Sequence, residues 1–293
     1  MNLPSILVTG ADGQVGSELR ALANSFPRFR FVFTTHADLS IEDPEALENL
    51  FSSYKPGFLI NAAGYTSVDK AEAEKEKAFS INALAVSVMA SLCKKYQTQF
   101  IHLSTDYVFD GNADTPYTEN SIPNAAGVYG SSKLMGEELA LKANTRSLII
   151  RTSWVYSEFG KNFVKTMLRL MKEKKEITVV NDQFGSPTYA ADLAETLVYL
   201  ISNCRKQIEN NPGIYHYTNQ GIISWYEFAV AIKEISGSPC LVLPISTREY
   251  PTAAKRPAYS ALDTSRIRKI FGISLNEWKT SLAKCMHHIK NTP

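Results

Sequence analysis

The sequence predicts an α/β fold: a doubly wound parallel sheet followed by a smaller C-terminal part. Three observations predict it. Between Ile6 and Arg151, short apolar runs alternate with helical patterns, as in βαβ units. The strand cores "FLINAA" and "SLIIRT" are apolar without alternation, which fits strands buried on both faces. A glycine-rich turn follows the first run directly and opens a helix.

The elements follow in order. Ile6–Thr9 is the first strand, and Gln14–Ala23 a helix with Val15, Leu19 and Leu22 on one face. Phe31–Thr34 is the second strand. Pro44–Ser53 is a helix with proline near its start, where a missing N–H costs little. Phe58–Asn61 is the third strand, Ala71–Lys95 one long helix, and Phe100–Ser104 the fourth strand. Ser131–Lys142 is a helix and Ser147–Arg151 the fifth strand. Beyond this the rhythm loosens. "NFVKTMLRLMK" and "DLAETLVYLI" read as helices, "EITVVND" as a strand, and Asn276–Ile289 as a closing helix. Leu243–Thr264 holds three prolines and no clear period, so it reads as a long functional loop.

The 293 residues carry 31 basic and 29 acidic side chains, a net charge of +2. That balance argues against nucleic acid or an anionic membrane as the main partner. Cys93, Cys204, Cys240 and Cys285 are scattered, with no CxxC pair and no zinc-like spacing to a histidine. They read as reduced structural thiols, and a start without a basic n-region or a long apolar run reads as a first strand. Both fit a cytoplasmic chain, and no stretch reads as a membrane span.

Gly10, Gly13 and Gly16 in "TGADGQVG" form G-x-x-G-x-x-G between a strand and a helix. Such a turn lets the backbone approach a pyrophosphate, and the helix N-terminus offers N–H groups and the positive end of its dipole. The expectation is a Rossmann-type nucleotide site. An acidic residue at the tip of strand two would hold an adenosine ribose. Here the tip is Thr34, Thr35 and His36, with Asp38 slightly beyond and no arginine, so NADH and NADPH both stay open.

Three further pieces lie past strand ends or on the next helix: "NAAGYTSVDKAE", "STDYVFDG" and Tyr129-x-x-x-Lys133. Ligands of open α/β sheets bind beyond the carboxyl ends of the strands. Residues i and i+4 share a helix face, and an ammonium beside a phenol lowers the phenol pKa from ~10. Tyr129 is therefore expected to be a proton donor tuned by Lys133, with Thr105 placed to hydrogen-bond a carbonyl oxygen. His102, inside strand four, reads as a satisfied core histidine. Asp106 also fits an Asx turn, Trp154 a core aromatic, and Arg256 with Lys255 a solvated pair.

The chain resembles the extended short-chain dehydrogenase/reductase superfamily and, more narrowly, the dTDP-4-dehydrorhamnose reductases. The resemblance rests on "VTGADGQVG", "NAAGYTSVDKAE", "STDYVFDG", "YGSSKLMGE", "IRTSWVY", "NFVKTMLRL", "VVNDQFGSPT" and "KRPAYSALDT", in this order along nearly the whole chain. It implies that NADPH or NADH reduces the C4 keto group of a dTDP-4-keto-6-deoxy sugar, for cell-surface polysaccharide synthesis. Tyr129 would donate the proton, with Lys133 as its partner and ribose ligand and Thr105 beside them. Gly13, Gln14 and Val15 would meet the pyrophosphate, with Gly10 and Gly16 also in the cofactor site; Asp38 and Leu39 would flank the adenine, and Ala63, Gly64, Tyr65 and Thr66 would line the cofactor. Val68, Thr105, Asp106 and Trp154 would contact the sugar nucleotide, and Arg256 its diphosphate.

The resemblance also implies a division into a Rossmann domain over 1–153, with a returning helix near 190–203, and a mainly substrate-binding domain over 154–293. It leaves a homodimer open. Some relatives are linked to magnesium through glutamates, but "KCMHHIKNTP" lacks a matching acid, although Glu18 remains. No metal is expected, and adjacent His287 and His288 do not share a helix face. Two alternatives come from the same superfamily. One is a non-catalytic NADP-binding regulatory subunit related to that of methionine adenosyltransferase. The other is an epimerase or dehydratase that recycles tightly held NAD; a dehydratase would usually carry an Asp-Glu pair where "TDYVF" has Asp106 alone.

Overall fold

The computed structural model describes residues 3–291. The first half alternates as β1 (Ser5–Thr9), α1 (Gln14–Leu22), β2 (Arg30–Thr34), α2 (Pro44–Tyr54) and β3 (Phe58–Asn61). It continues with the short α3 (Val68–Ala71), α4 (Lys75–Phe79), a π-turn over Ser80–Leu84, α5 (Ala85–Lys95) and β4 (Gln99–Thr105). Then come α6 (Val128–Ala143) and β5 (Leu148–Thr152). The sheet is parallel throughout. Its order from one edge is β2, β1, β3, β4, β5 and a sixth strand, Gly213–His216.

Side chains of a strand alternate between faces, and here both faces are covered. Ile6, Val8, Ile60, Ile101 and Ile150 point to one side, where they pack with Leu19 of α1 and with Leu193 and Leu197 of a helix spanning Ala190–Asn203. Leu7, Leu59, Phe100 and Ile149 point to the other, against Leu47 and Phe51 of α2 and Val86 and Met89 of α5. This explains the unbroken apolar runs. Each such side chain contributes about 1.5–3 kcal/mol by leaving water.

A second core lies in the C-terminal half. Val164 and Met167 from helix Phe163–Glu173, Phe228 and Ile232 from helix Trp225–Ser236, and Leu282 from helix Trp278–Asn291 pack around Ile177 and Val242. The four cysteines are free and buried.

Several elements differ from the sequence reading, among them the unexpected helix Trp225–Ser236. The expected helix Ala71–Lys95 is interrupted before Lys75 and carries the π-turn. From Lys75 to Lys95 it is long and apolar enough to cross a membrane, but half of that stretch is buried in the fold, as in a core helix. Helix α6 begins three residues early, at Val128, because the Glu72 carboxylate accepts the Val128 N–H at 2.8 Å. The sixth strand was not expected: "GIYH" is short and opens on Gly213, whose φ is +119°. Finally, part of the expected loop is a strand. Leu241–Ile245 pairs in parallel with Glu176–Val180 in a two-stranded sheet, where Pro244 is tolerated at an edge.

Candidate active site

The strand order reverses between β1 and β3, and a ligand crevice is expected where neighbouring connections diverge to opposite sides of a sheet. A cleft of about 1180 Å³ lies there. Its walls include the carboxyl ends of β1, β3 and β4, the first turn of α6, and Trp154, Val155, Gly160 and Lys161 from the C-terminal half.

At one end stands the glycine turn. Gly10 has φ +69°, and a Cβ on it would sit 2.6 Å from the Ala63 nitrogen. A Cβ on Gly16 would meet the Gly10 carbonyl at 2.3 Å. Both positions therefore keep α1 tight against the ends of β1 and β3. The N-terminus of α1 has no side-chain cap and no acid in its first turn. That leaves its N–H groups and dipole for an anion, so these residues fit a dinucleotide pyrophosphate.

Gly10, Gly13, Gln14, Val15, Leu39, Ala63, Gly64, Tyr65 and Thr66 line the cleft. Gln14 also ties the halves together: it donates to the Val155 carbonyl at 3.3 Å and accepts from Asn162 at 2.9 Å. Gly16 and Asp38 stand off the wall. Gly16 is buried packing. The Asp38 carboxylate accepts from the Thr35 N–H at 2.9 Å and its hydroxyl at 2.8 Å, which holds it below the usual carboxylate range.

At the other end Thr105, Asp106, Tyr129 and Lys133 line the wall together. Gly130 makes this possible, since a Cβ there would lie 2.1 Å from the Tyr107 carbonyl and force α6 away. The rings of Tyr107 and Tyr129 meet edge-on with centroids 5.5 Å apart. Thr105 donates to Asp106 Oδ1 at 3.1 Å and accepts from the Tyr107 N–H at 3.2 Å. The other Asp106 oxygen is buried without a hydrogen-bond partner. Burial pushes Asp106 up to about 6, against the pull of its hydrogen bonds.

The expected tuning of Tyr129 by Lys133 is corrected. Burial raises the Tyr129 phenol to about 12; a hydrogen bond with Thr105 lowers it and the Asp106 charge raises it further. Lys133 instead points to β4, donating to the Leu103 carbonyl at 2.6 Å with His102 Nε2 at 3.3 Å. Burial draws Lys133 down to about 8, opposed by the charge of Glu137.

Val68 and Trp154 line the sugar side expected from the sequence. Trp154 has φ +48°, a costly conformation for a bulky residue, and its ring stacks on Trp225 with centroids 3.5 Å apart. Strain of this kind points to a site held for use rather than a passive core position. Arg256 does not line the cleft. It pairs with Asp69 of α3 at 2.6 Å, while Asp69 also accepts the Ala254 N–H at 3.0 Å, and this fastens the late loop to α3. One Arg256 nitrogen, Nη1, is buried without a partner.

Sequence reasoning missed several wall residues, among them Lys77, Asn82, Tyr107, Lys161 and Trp225. Asn82 enters through the π-turn, where it accepts the Tyr65 N–H at 2.8 Å and donates to the Tyr65 carbonyl and to Ser132, both at 3.0 Å. A mid-helix asparagine followed by small residues was the one available signal. Trp225 carried none; it lines the cleft while packed on Trp154 and Phe163. Among the described residues no cluster of His, Cys, Asp and Glu could hold a metal ion.

A family model described as RmlD substrate binding domain matches residues 4–291. A dTDP-4-dehydrorhamnose reductase of Aggregatibacter actinomycetemcomitans is 41% identical over 284 residues, covering 94% of this chain and 96% of the relative. The spore coat polysaccharide biosynthesis protein SpsK of Bacillus subtilis is 42% identical over 281 residues, 96% of each. The solved structure of a dTDP-4-dehydrorhamnose reductase from Bacillus anthracis in complex with NADP superposes with a TM-score of 0.93 at 35% identity, covering 98% of this chain and all of that one.

Proposed function

The chain belongs to the family of the RmlD substrate binding domain, that of the dTDP-4-dehydrorhamnose reductases, and from that premise we propose that it reduces the C4 keto group of dTDP-4-dehydro-L-rhamnose to give dTDP-L-rhamnose. The observation that carries the reading is one cleft with the glycine turn at one end and Thr105, Asp106, Tyr129 and Lys133 at the other.

When bound, the reduced nicotinamide dinucleotide, NADPH or NADH, supplies the hydride. The backbone from Gly10 to Val15 holds its pyrophosphate beside the start of α1. Leu39, with Asp38 next to it, would flank the adenine, Ala63 to Thr66 would line its path, and Lys133 would reach the ribose. Tyr129 holds the proton. A phenol raised to about 12 is fully protonated at neutral pH, as a donor in the reducing direction must be, and it is still acidic enough to protonate an alkoxide. Thr105 stabilises the developing oxyanion beside it. Asp106 offers the sugar an acceptor, Val68 and the strained Trp154 wall the sugar, and Arg256 reaches the diphosphate only by leaving its pair with Asp69. Catalysis then consists mainly of positioning the carbonyl against the phenol. The reading includes a cytoplasmic location and leaves a homodimer open.

The test is direct. Purified protein is mixed with dTDP-4-dehydro-L-rhamnose and either NADPH or NADH. Loss of nicotinamide absorbance matched by dTDP-L-rhamnose is expected. No reduced sugar with either cofactor sinks the reading, and dTDP-6-deoxy-talose as product corrects its stereochemistry.

A further inference from the structure

The helix that carries Tyr129 begins without a cap of its own. α6 starts at Val128, and its N-cap position is Gly127, which has no side chain to accept from the first turn. The first bond at this end runs from the Ser131 N–H to the Gly127 carbonyl at 3.0 Å. The N–H groups of Val128, Tyr129 and Gly130 therefore find no partner within the helix. A Ser, Thr, Asp or Asn at the N-cap usually satisfies such groups.

Here the acceptor comes from another element. Glu72, just past the end of α3, accepts the Val128 N–H through Oε1 at 2.8 Å. A Cβ on Gly127 would lie 2.8 Å from the same oxygen, and beyond its chain neighbours it would meet nothing else within 4 Å but the carboxyl carbon of Glu72. The carboxylate thus fills the place where an N-cap side chain would stand. Its charge also faces the positive end of the α6 dipole. Glu72 does not line the cleft, so any effect it has on a reaction there passes through α6.

Tyr129 is the second residue of α6, directly after the amide that Glu72 holds. The turn is fixed from its other side as well. Gly130 packs against the Tyr107 carbonyl, and the Ser132 hydroxyl donates to the Tyr129 carbonyl at 2.8 Å. Those contacts keep the helix in place but leave its first N–H to Glu72. The same short α3 puts Val68 on the cleft wall, and its Asp69 accepts from the Ala254 N–H at 3.0 Å. It therefore spans from the sugar side and the late loop to the start of α6. A displacement of about 1 Å in a reacting group can cost about 100-fold in rate.

We propose that Glu72 is a positioning residue: it caps α6 in place of Gly127 and so fixes Tyr129 against the sugar side of the cleft. The inference rests on the reading of Tyr129 as the proton donor.

Two variants test it. Glu72→Ala removes the cap. Adding Gly127→Ser to that variant supplies one from within the helix, in the space the carboxylate has left. The backbone there is extended, with φ −144° and ψ 172°, as an N-cap serine requires. Glu72→Ala should lower kcat about tenfold while the KM for the cofactor stays within about twofold, and the double variant should recover kcat to within about threefold of the native value. Native kcat in Glu72→Ala overturns the proposal, as does an effect confined to KM or a loss that Gly127→Ser does not recover. Should Glu72→Ala fail to fold, the double variant decides: native-like kcat supports the cap, and a loss of about tenfold overturns it. Hydrogen exchange over residues 127–133 needs no activity and so separates the cap from the reading of the reaction. These amides should exchange faster in Glu72→Ala and return toward native rates in the double variant. Unchanged exchange in Glu72→Ala overturns the proposal even where the native protein reduces no keto sugar.

Discussion

Lys133 Nζ lies 2.6 Å from the main-chain oxygen of Leu103, so the lysine is anchored to β4 and not to Tyr129 on its own helix. On the proposed reading, its part in the reaction runs through the cofactor ribose and not through a standing contact with the phenol. Lys133→Met should cut kcat by about 100-fold or more and raise the KM for the cofactor. Unchanged values of both in a folded variant contradict this.

The Glu137–Arg151 pair is the most buried ion pair among the described residues, with each side chain 1% exposed. Arg151 also lies over the Phe109 ring at 5.0 Å. Removing one partner leaves the other charge stranded. Glu137→Gln should cost about 3–5 kcal/mol in denaturant unfolding. A loss below about 1 kcal/mol, the range of an exposed pair, goes against it.

Gly16 tests the glycine turn separately from the chemistry. A Cβ there would also lie 2.6 Å from the Ala11 Cα, so backbone must move. Gly16→Ala should lose about 1–3 kcal/mol of stability and weaken cofactor binding, read by denaturation and by nucleotide titration. Native stability with native cofactor affinity refutes the close-packing account.

Acid sensitivity follows from two buried neutral imidazoles. Burial and the Arg151 charge depress His216 from 6.5 to about 3, and burial with the Lys133 charge also holds His102 well below its ordinary value. A depressed histidine adds stability above its unfolded pKa and loses it as pH falls toward its folded pKa. His216 alone should therefore forfeit roughly 2 kcal/mol between pH 6.5 and 5. Asp106, raised to about 6, works the opposite way between about 6 and 4 and offsets part of this. His216→Gln should flatten the stability profile between pH 7 and 5; an equally steep profile counts against the assignment.

The sheet was legible because β1, β3, β4 and β5 are buried on both faces, which gives short apolar runs like "FLINAA" bounded by turn residues. Tyr129, Thr105 and the glycine turn were legible because each follows a strand end or opens a helix. What the sequence hid depends on distant partners. Glu72 starts α6 early, the π-turn aims Asn82 inward, and Trp225 is placed by its stack with Trp154. The Tyr–Lys spacing put both residues on one cleft wall but did not show their energetics. Which way Lys133 turns is decided by the Leu103 carbonyl and His102, and burial of the phenol outweighs any pull from a lysine.

The central claim is that Tyr129 gives the proton. Its most direct test is single-turnover reduction of dTDP-4-dehydro-L-rhamnose by Tyr129→Phe, with cofactor affinity measured on the same preparation. Loss of the phenolic proton should slow the step by about 10²- to 10⁴-fold while cofactor affinity stays nearly unchanged. Reduction at the native rate contradicts the account.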